Sequence, residues 1–399
     1  MRTVNNNACQ VCGICFLFFS AGALSAAESA PLLRDHEAGF VVSYIEYGLA
    51  ADAEETGGCP EGMTLSLQEI YALTDEGERR ESESDEAYMI RLQQAAKRLG
   101  TAPDGRNLCM HPEAAGPDPY FRTVKGSGFP VFGIDLDGHT SREDFPGMDG
   151  GQGVDNQWFR VVGCSRSYQS TGLSNNYNIG MLSGSWGILI NLRGVEDIYQ
   201  DDRVEVLLSA NADPIRLGPS RDPLPYATYT AQSDPRFRAM TTGRIDQGVL
   251  TTEPVDARFW SEVNSMYLER PLLDARLKVT ISSEGTVEGY LSGYTPVEAM
   301  YDVAYGYRNG IKHTGETAPL ALRSGSANGA AAVLGHTCHG AYHALHELAD
   351  GHPDPETGVY TSISTQYRIK ALPAFVVEAD ESTNVAATDT VSESGDPYE

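Results

Sequence analysis

The sequence predicts an α+β protein: a β-rich antiparallel core, sandwich- or barrel-like, flanked by helical segments. Three observations carry that prediction. Short runs of β-branched and aromatic residues recur between residues 129 and 294, separated by turn residues. Helical periodicity is confined to the segments on either side. No βαβ alternation and no phosphate-cradling glycine motif is present.

The elements follow in chain order. Residues 1–27 read as a signal peptide. Arg2 is a short positive region, the stretch 11–24 is mostly apolar, and Ser25-Ala26-Ala27 places small residues before a cleavage point. The apolar stretch is short for a membrane span and no later one is long enough, so the mature protein is expected to have none. Its destination is periplasmic or extracellular. Cys9, Cys12 and Cys15 have the spacing of an iron–sulfur run but fall inside the removed peptide. Residues 28–39 form a flexible leader.

Residues 40–128 form an N-terminal α/β segment. The run at 40–47 (FVVSYIEY) is a strand and 62–73 is helical. In 85–99, Tyr88, Leu92, Ala95, Ala96 and Leu99 recur at helical spacing, with Ser84 as N-cap and Gly100 just past the end. Residues 129–294 form the β-rich core. Strands are expected at 129–134, 157–162, 186–192, 203–209, 226–232, 248–252 and 277–281. The strongest hairpin joins 276–282 to 286–292, with Gly285 supplying the positive φ of a tight turn. Residues 295–377 hold two helices, 297–308 and about 334–349, and a closing strand at 367–377. Residues 378–399, with seven acidic residues and no basic one, read as a disordered acidic tail.

Composition narrows the function. A hydrophobic fraction of 41% supports a sizeable core. Lys+Arg number 29 against 55 Asp+Glu, a net charge of −26. Loss of residues 1–27 removes one basic residue and no acidic one, so the mature charge is −27. No Lys/Arg cluster offers a face to nucleic acid or to anionic lipid. Cys59, Cys109, Cys164 and Cys338 remain after cleavage, an even number in an exported chain, and predict two disulfides. Three pairings are open. The arrangement Cys59–Cys109 with Cys164–Cys338 is preferred, because the first pair brackets one helical segment.

The stretch 133–157 holds the densest chemistry. Asp135, Asp137, Asp144, Asp149, Asp155 and Asn156 are hard oxygen donors, set among six glycines that let the backbone fold tightly. Calcium takes six to eight such oxygens. Asp135-x-Asp137-Gly138 opens like a calcium loop, without the ligand order or terminal Glu of an EF-hand. The plain alternative is a glycine-rich turn whose Asp side chains cap backbone amides. A second candidate lies at 336–352, where His336, His339, His343, His346 and His352 gather. On a helix the first four share one arc with Glu347 and Asp350, opposite Leu334, Cys338, Ala341, Leu345 and Leu348. His339, His343, His346 and Glu347 are therefore candidate zinc or copper ligands. H-E-x-x-H is absent, and a solvated polar face or histidines packed on the core explain the pattern as well. No nucleophile elbow is present. A carboxylate pair for glycoside cleavage is a spatial feature that sequence does not reveal. Trp158, Trp186, Trp260, Tyr290 and Tyr294 can stack on sugar rings if exposed, or fill the core.

Three blocks resemble a group of exported bacterial proteins that are themselves uncharacterised. They are GGCPEGMTLSLQEIY with PDGRNLCMHP, GIDLDG with GVDNQWFRVVGC, and DGHPDPETGVYTSISTQYRIKALPAFVV. The resemblance implies a single exported unit from about residue 40 to 377. It implies no activity and no site residue. The preferred expectation is a calcium-stabilised protein that binds carbohydrate or another surface polymer. The alternatives are a metal-dependent hydrolase or a periplasmic metal-binding protein, both using the histidines at 336–347.

Overall fold

The computed structural model describes residues 32–50, 52–169, 172 and 178–378. The expected signal peptide and most of the acidic tail lie outside them. Among the described residues, eleven strands and seven α-helices follow in the order β1 Glu37–Tyr47, α1 Leu67–Ala72, α2 Asp85–Leu99, α3 Gln157–Val162, α4 Asn178–Leu182, β2 Ile188–Arg193, β3 Gln200–Ala210, β4 Ala227–Thr230, β5 Arg238–Asp246, β6 Val249–Thr252, β7 Val255–Val263, β8 Met266–Ile281, β9 Val287–Pro296, α5 Val297–Tyr301, α6 Leu320–Leu334, α7 Cys338–Glu347, β10 Gly351–Pro353 and β11 Tyr360–Val377.

The strands form one sheet that closes on itself. Hydrogen-bonded neighbours run β1-β2-β3-β5-β6-β8-β9-β11, and β11 then pairs with β1. Every pairing in this ring is antiparallel. β7 adds to β8, β10 to β11, and β4 joins β11 in parallel. Closure leaves the ring strands without the free edge of an open sheet. The expected α+β, β-rich class with a barrel-like core is therefore the observed one. The ring draws β1 from the N-terminal segment and β11 from the C-terminal one.

Local rules account for the elements that were expected. β1 is buried almost continuously from Ala38 to Val42, as a strand covered on both faces should be. Ser66 caps α1 in a capping box with Glu69. The Ser84 hydroxyl accepts from the Ala87 amide at the start of α2. The β8–β9 hairpin has the predicted register, Ile281 opposite Val287 and Arg276 opposite Ser292, with Gly285 at φ 81°.

Three expectations are corrected. Residues 157–162 are a helix, not a strand. The Asn156 side chain accepts from the Phe159 amide to start α3, Gly163 ends it, and all six residues are buried. A short run buried on every side shows neither helical nor strand periodicity. Residues 129–134 form no strand. Val131 alone makes bridges, to Ala50 and Gly147, because Pro130 lacks a donor and Gly133 lies against the Gln366 side chain. The cysteines pair Cys59–Cys164 and Cys109–Cys338, not in the preferred arrangement. The first bond ties the loop after β1 to the end of α3, and the second ties the loop after α2 to the start of α7.

Candidate functional site

The loop between 134 and 156 is pinned at both ends by one residue of β11. The Gln366 side chain is fully buried; it accepts from the Ile134 amide at 3.1 Å and donates to the carbonyls of Ile134 (3.0 Å) and Asp155 (2.6 Å). Asn156 reinforces this anchor by donating to the Gly48 and Phe132 carbonyls while its oxygen caps α3. Gly153, at φ 77°, lets the returning strand pass close to the His139 carbonyl; a Cβ there would lie 2.8 Å from that oxygen.

Within this frame, Asp135, Asp137 and Asp155 bring carboxylate oxygens within 4.8 Å of one another. Asp155 is 5% exposed, and its Oδ2 accepts the Leu136 amide at 2.6 Å and the Asp137 amide at 3.4 Å. Asp135 accepts the Gly138 amide at 2.6 Å, and Asp137 the His139 amide at 2.7 Å. Burial pushes the Asp155 carboxyl up to about 7, against the Leu136 hydrogen bond and with the charges of Asp137, Asp144 and Asp350 in support.

The other loop candidates have separate roles. Asp144 caps the Ser141 amide and hydroxyl. Asp149 accepts the Gly151 amide and faces Lys278 at 3.5 Å. The Asn156 amide is committed to the anchor just described. Asp350, just before β10, is an addition that sequence reasoning did not place here. Its Oδ1 accepts the Ser364 amide of β11 at 2.7 Å, and burial raises its carboxyl to about 6, with Asp144 adding to the rise. Its only sequence signal was its place among the histidines. Tyr294 of β9 is 9% exposed, and its hydroxyl is pushed up by burial and then by Asp155, Asp350 and Asp137. His352 stands edge-on to Tyr294 with ring centroids 5.4 Å apart, and reaches Asp274 at 3.1 Å.

The histidines disperse. Gly335 turns the chain into the left-handed region after α6, and Thr337 caps a separate α7, so His336 is not on the helix with the others. His336 is buried, edge-on to Tyr305 and Phe121. His343 Nε2 lies 2.7 Å from the Ala115 carbonyl and His346 Nε2 lies 3.1 Å from Glu298. Burial lowers His339, with Asp118 opposing. Glu347 is exposed. Among the described residues, His339, His343, His346 and Glu347 form no group of metal-ligating geometry; the Asp135, Asp137 and Asp155 cluster does. Of the aromatic candidates, Trp158, Trp186 and Tyr294 are buried, whereas Trp260 and Tyr290 are half-buried.

Three adjacent carboxylates repel one another, and a buried one loses its hydration as well. A hard cation offsets both costs, and an all-oxygen donor set favours calcium or magnesium over zinc or copper. No protein-family model, curated protein or solved structure matches this chain.

Proposed function

We propose that this chain is an exported protein that binds rather than transforms its ligand, its barrel held by calcium at Asp135, Asp137 and Asp155. The observation that carries the reading is the convergence of these three carboxylates, one of them buried, on a loop clamped by Gln366. The role of the ion is structural: it neutralises a loop that leads into α3 and is clamped to β11 by Gln366. The two disulfides and the absence of a helix able to cross a membrane among the described residues fit an exported protein. Carbohydrate is the ligand class drawn from the sequence, with Trp260 and Tyr290 as its half-exposed rings. A glycan array with calcium present tests that class, and silence removes it.

Elemental analysis of the mature, untagged protein is the primary test. One equivalent of calcium is expected, and chelation should lower Tm. Asp155→Asn should abolish the calcium response and raise the stability of the metal-free protein near and above pH 7, because Asn carries neither the buried charge nor the raised proton affinity of this carboxyl. No bound calcium, together with a Tm indifferent to both calcium and chelator, overturns the proposal.

A further inference from the structure

The outer face of the sheet carries a cation that the chain itself leaves without a partner. Leu277 and Val279 of β8 point into the core, so Arg276 and Lys278 point outward. β11 presents Arg368 and Lys370 on the same face, beyond the Gln366 that clamps the acidic loop. Three of these four cations are paired: Lys278 with Asp149, Arg368 with Glu46 and Lys370 with Glu288. The Arg276 guanidinium makes no hydrogen bond and no ion pair among the described residues. The residue is half-buried, and its Nε is shielded from solvent. Such a cation is unexpected in a chain with 55 Asp+Glu against 29 Lys+Arg.

The backbone explains why Arg276 stays unpaired. A bulge interrupts the β8–β9 register between Leu273 and Arg276, and Asp274 within it takes a left-handed φ of 48°. Its carboxylate turns to His352, at 3.1 Å, instead of to Arg276. Bulges re-aim side chains in this way beside functional sites. Across the strand pair Arg276 faces Ser292, which is 0% exposed and whose hydroxyl is also without a partner. Ser292 alternates with Tyr290 and Tyr294, which pack with Ile134 and Leu136 at the root of the acidic loop. Burial, then Asp155, Asp350 and Asp137, raise the Tyr294 hydroxyl, and Arg276 opposes them, so one ring senses both the carboxylates and the cation. Two unpartnered donors on neighbouring strands therefore stand at the margin of the aspartate cluster.

We propose that Arg276 selects an acidic sugar: a uronate carboxylate spans its guanidinium and the calcium of the aspartate cluster, with the pyranose ring over Tyr290. The inference rests on the calcium and carbohydrate reading above and names the sugar class. Charge decides it. Without the ion the aspartates repel a carboxylate. With it, a guanidinium and a hard cation each take one of the carboxylate oxygens. Tyr290 is the diagonal neighbour of Arg276 on β9, about 7 Å away. A carboxylate and the pyranose ring that bears it can bridge that spacing.

The test titrates the mature full-length protein with trimers of galacturonate and of mannuronate, and with their methyl esters, in calcium and in chelator. Bound calcium is measured on the same samples. At least one acid should bind in calcium, with its ester, and the acid in chelator, roughly 10-fold weaker or worse. Arg276→Gln should weaken that acid roughly 10- to 100-fold with calcium content unchanged. The ester comparison uses wild type, so it decides the matter should Arg276→Gln fail to fold. Undiminished binding of the ester, binding of the acid in chelator, or undiminished binding by folded Arg276→Gln overturns the proposal. A calcium-loaded wild type indifferent to both acids also overturns it and leaves the calcium reading standing. Wild type that holds no calcium and binds neither acid removes both.

Discussion

Asp155 and His336 are both buried titratable groups, and they act on stability in opposite directions. Asp155 keeps its proton in the folded protein up to about 7, whereas the unfolded carboxyl releases it near 4. In metal-free protein its contribution is complete below the unfolded pKa and is lost as pH rises toward 7. His336 is held down to about 3 by burial, with the Leu334 backbone opposing slightly, and neither ring nitrogen makes a hydrogen bond of ordinary geometry. The unfolded imidazole takes a proton near 6.5. His336 therefore contributes fully above that pH, and the contribution is lost as pH falls toward 3. His336→Phe keeps an aromatic ring between Tyr305 and Phe121 and should flatten the acid limb of a Tm-against-pH curve between pH 6.5 and 3. An unchanged limb would assign the acid sensitivity to other groups.

At the scale of elements, α2 and the β8–β9 hairpin show how much a local signal can carry. α2 announces itself by apolar spacing and its Ser84 cap, the hairpin by alternation and Gly285. α3 and α6 do not. α3 is apolar on every side, so its periodicity is silent, and the cap residues Asn156 and Gly163 were the available signals. α6 (LALRSGSANGAAAVL) is rich in small residues and has no amphipathic stripe, because one face lines a groove instead of a core. Its glycines make a direct prediction. Gly325→Ala and Gly329→Ala should each stabilise the protein by about 0.5–1 kcal/mol in denaturant titration, since the added methyl meets nothing and the helix gains rigidity. Destabilisation by either would mean that the groove face is packed.

The whole molecule depends on contacts between distant parts of the chain. β11 pairs with β1, Tyr367 opposite Tyr47 and Ala374 opposite Gly39, and closes the ring. The disulfides span 105 and 229 residues. Loops of that length lose substantial entropy when cross-linked, so each bond should contribute about 2–5 kcal/mol. Non-reducing peptide mapping should recover Cys59 with Cys164 and Cys109 with Cys338, and reduction should lower Tm. A Cys59–Cys109 peptide would contradict the arrangement described here.

The α+β class, the cysteines available to bond, the hairpin at Gly285 and the acidic loop could all be read residue by residue. Each depends on neighbours within a few positions, where periodicity, capping and turn geometry leave a pattern in the chain. Tertiary structure alone decided the ring closure, the disulfide partners, the separation of the histidines, and which carboxylates of the loop converge. Strand pairing uses backbone groups that every residue carries, so β1 holds no local mark of β11. Loop-closure entropy changes slowly with length, so cysteine spacing does not select a partner. Asp350 follows Asp155 by almost 200 residues and is set beside the loop by the Ser364 amide of β11. Its effect on Asp155 is electrostatic, acts through space, and exists only once the barrel has closed.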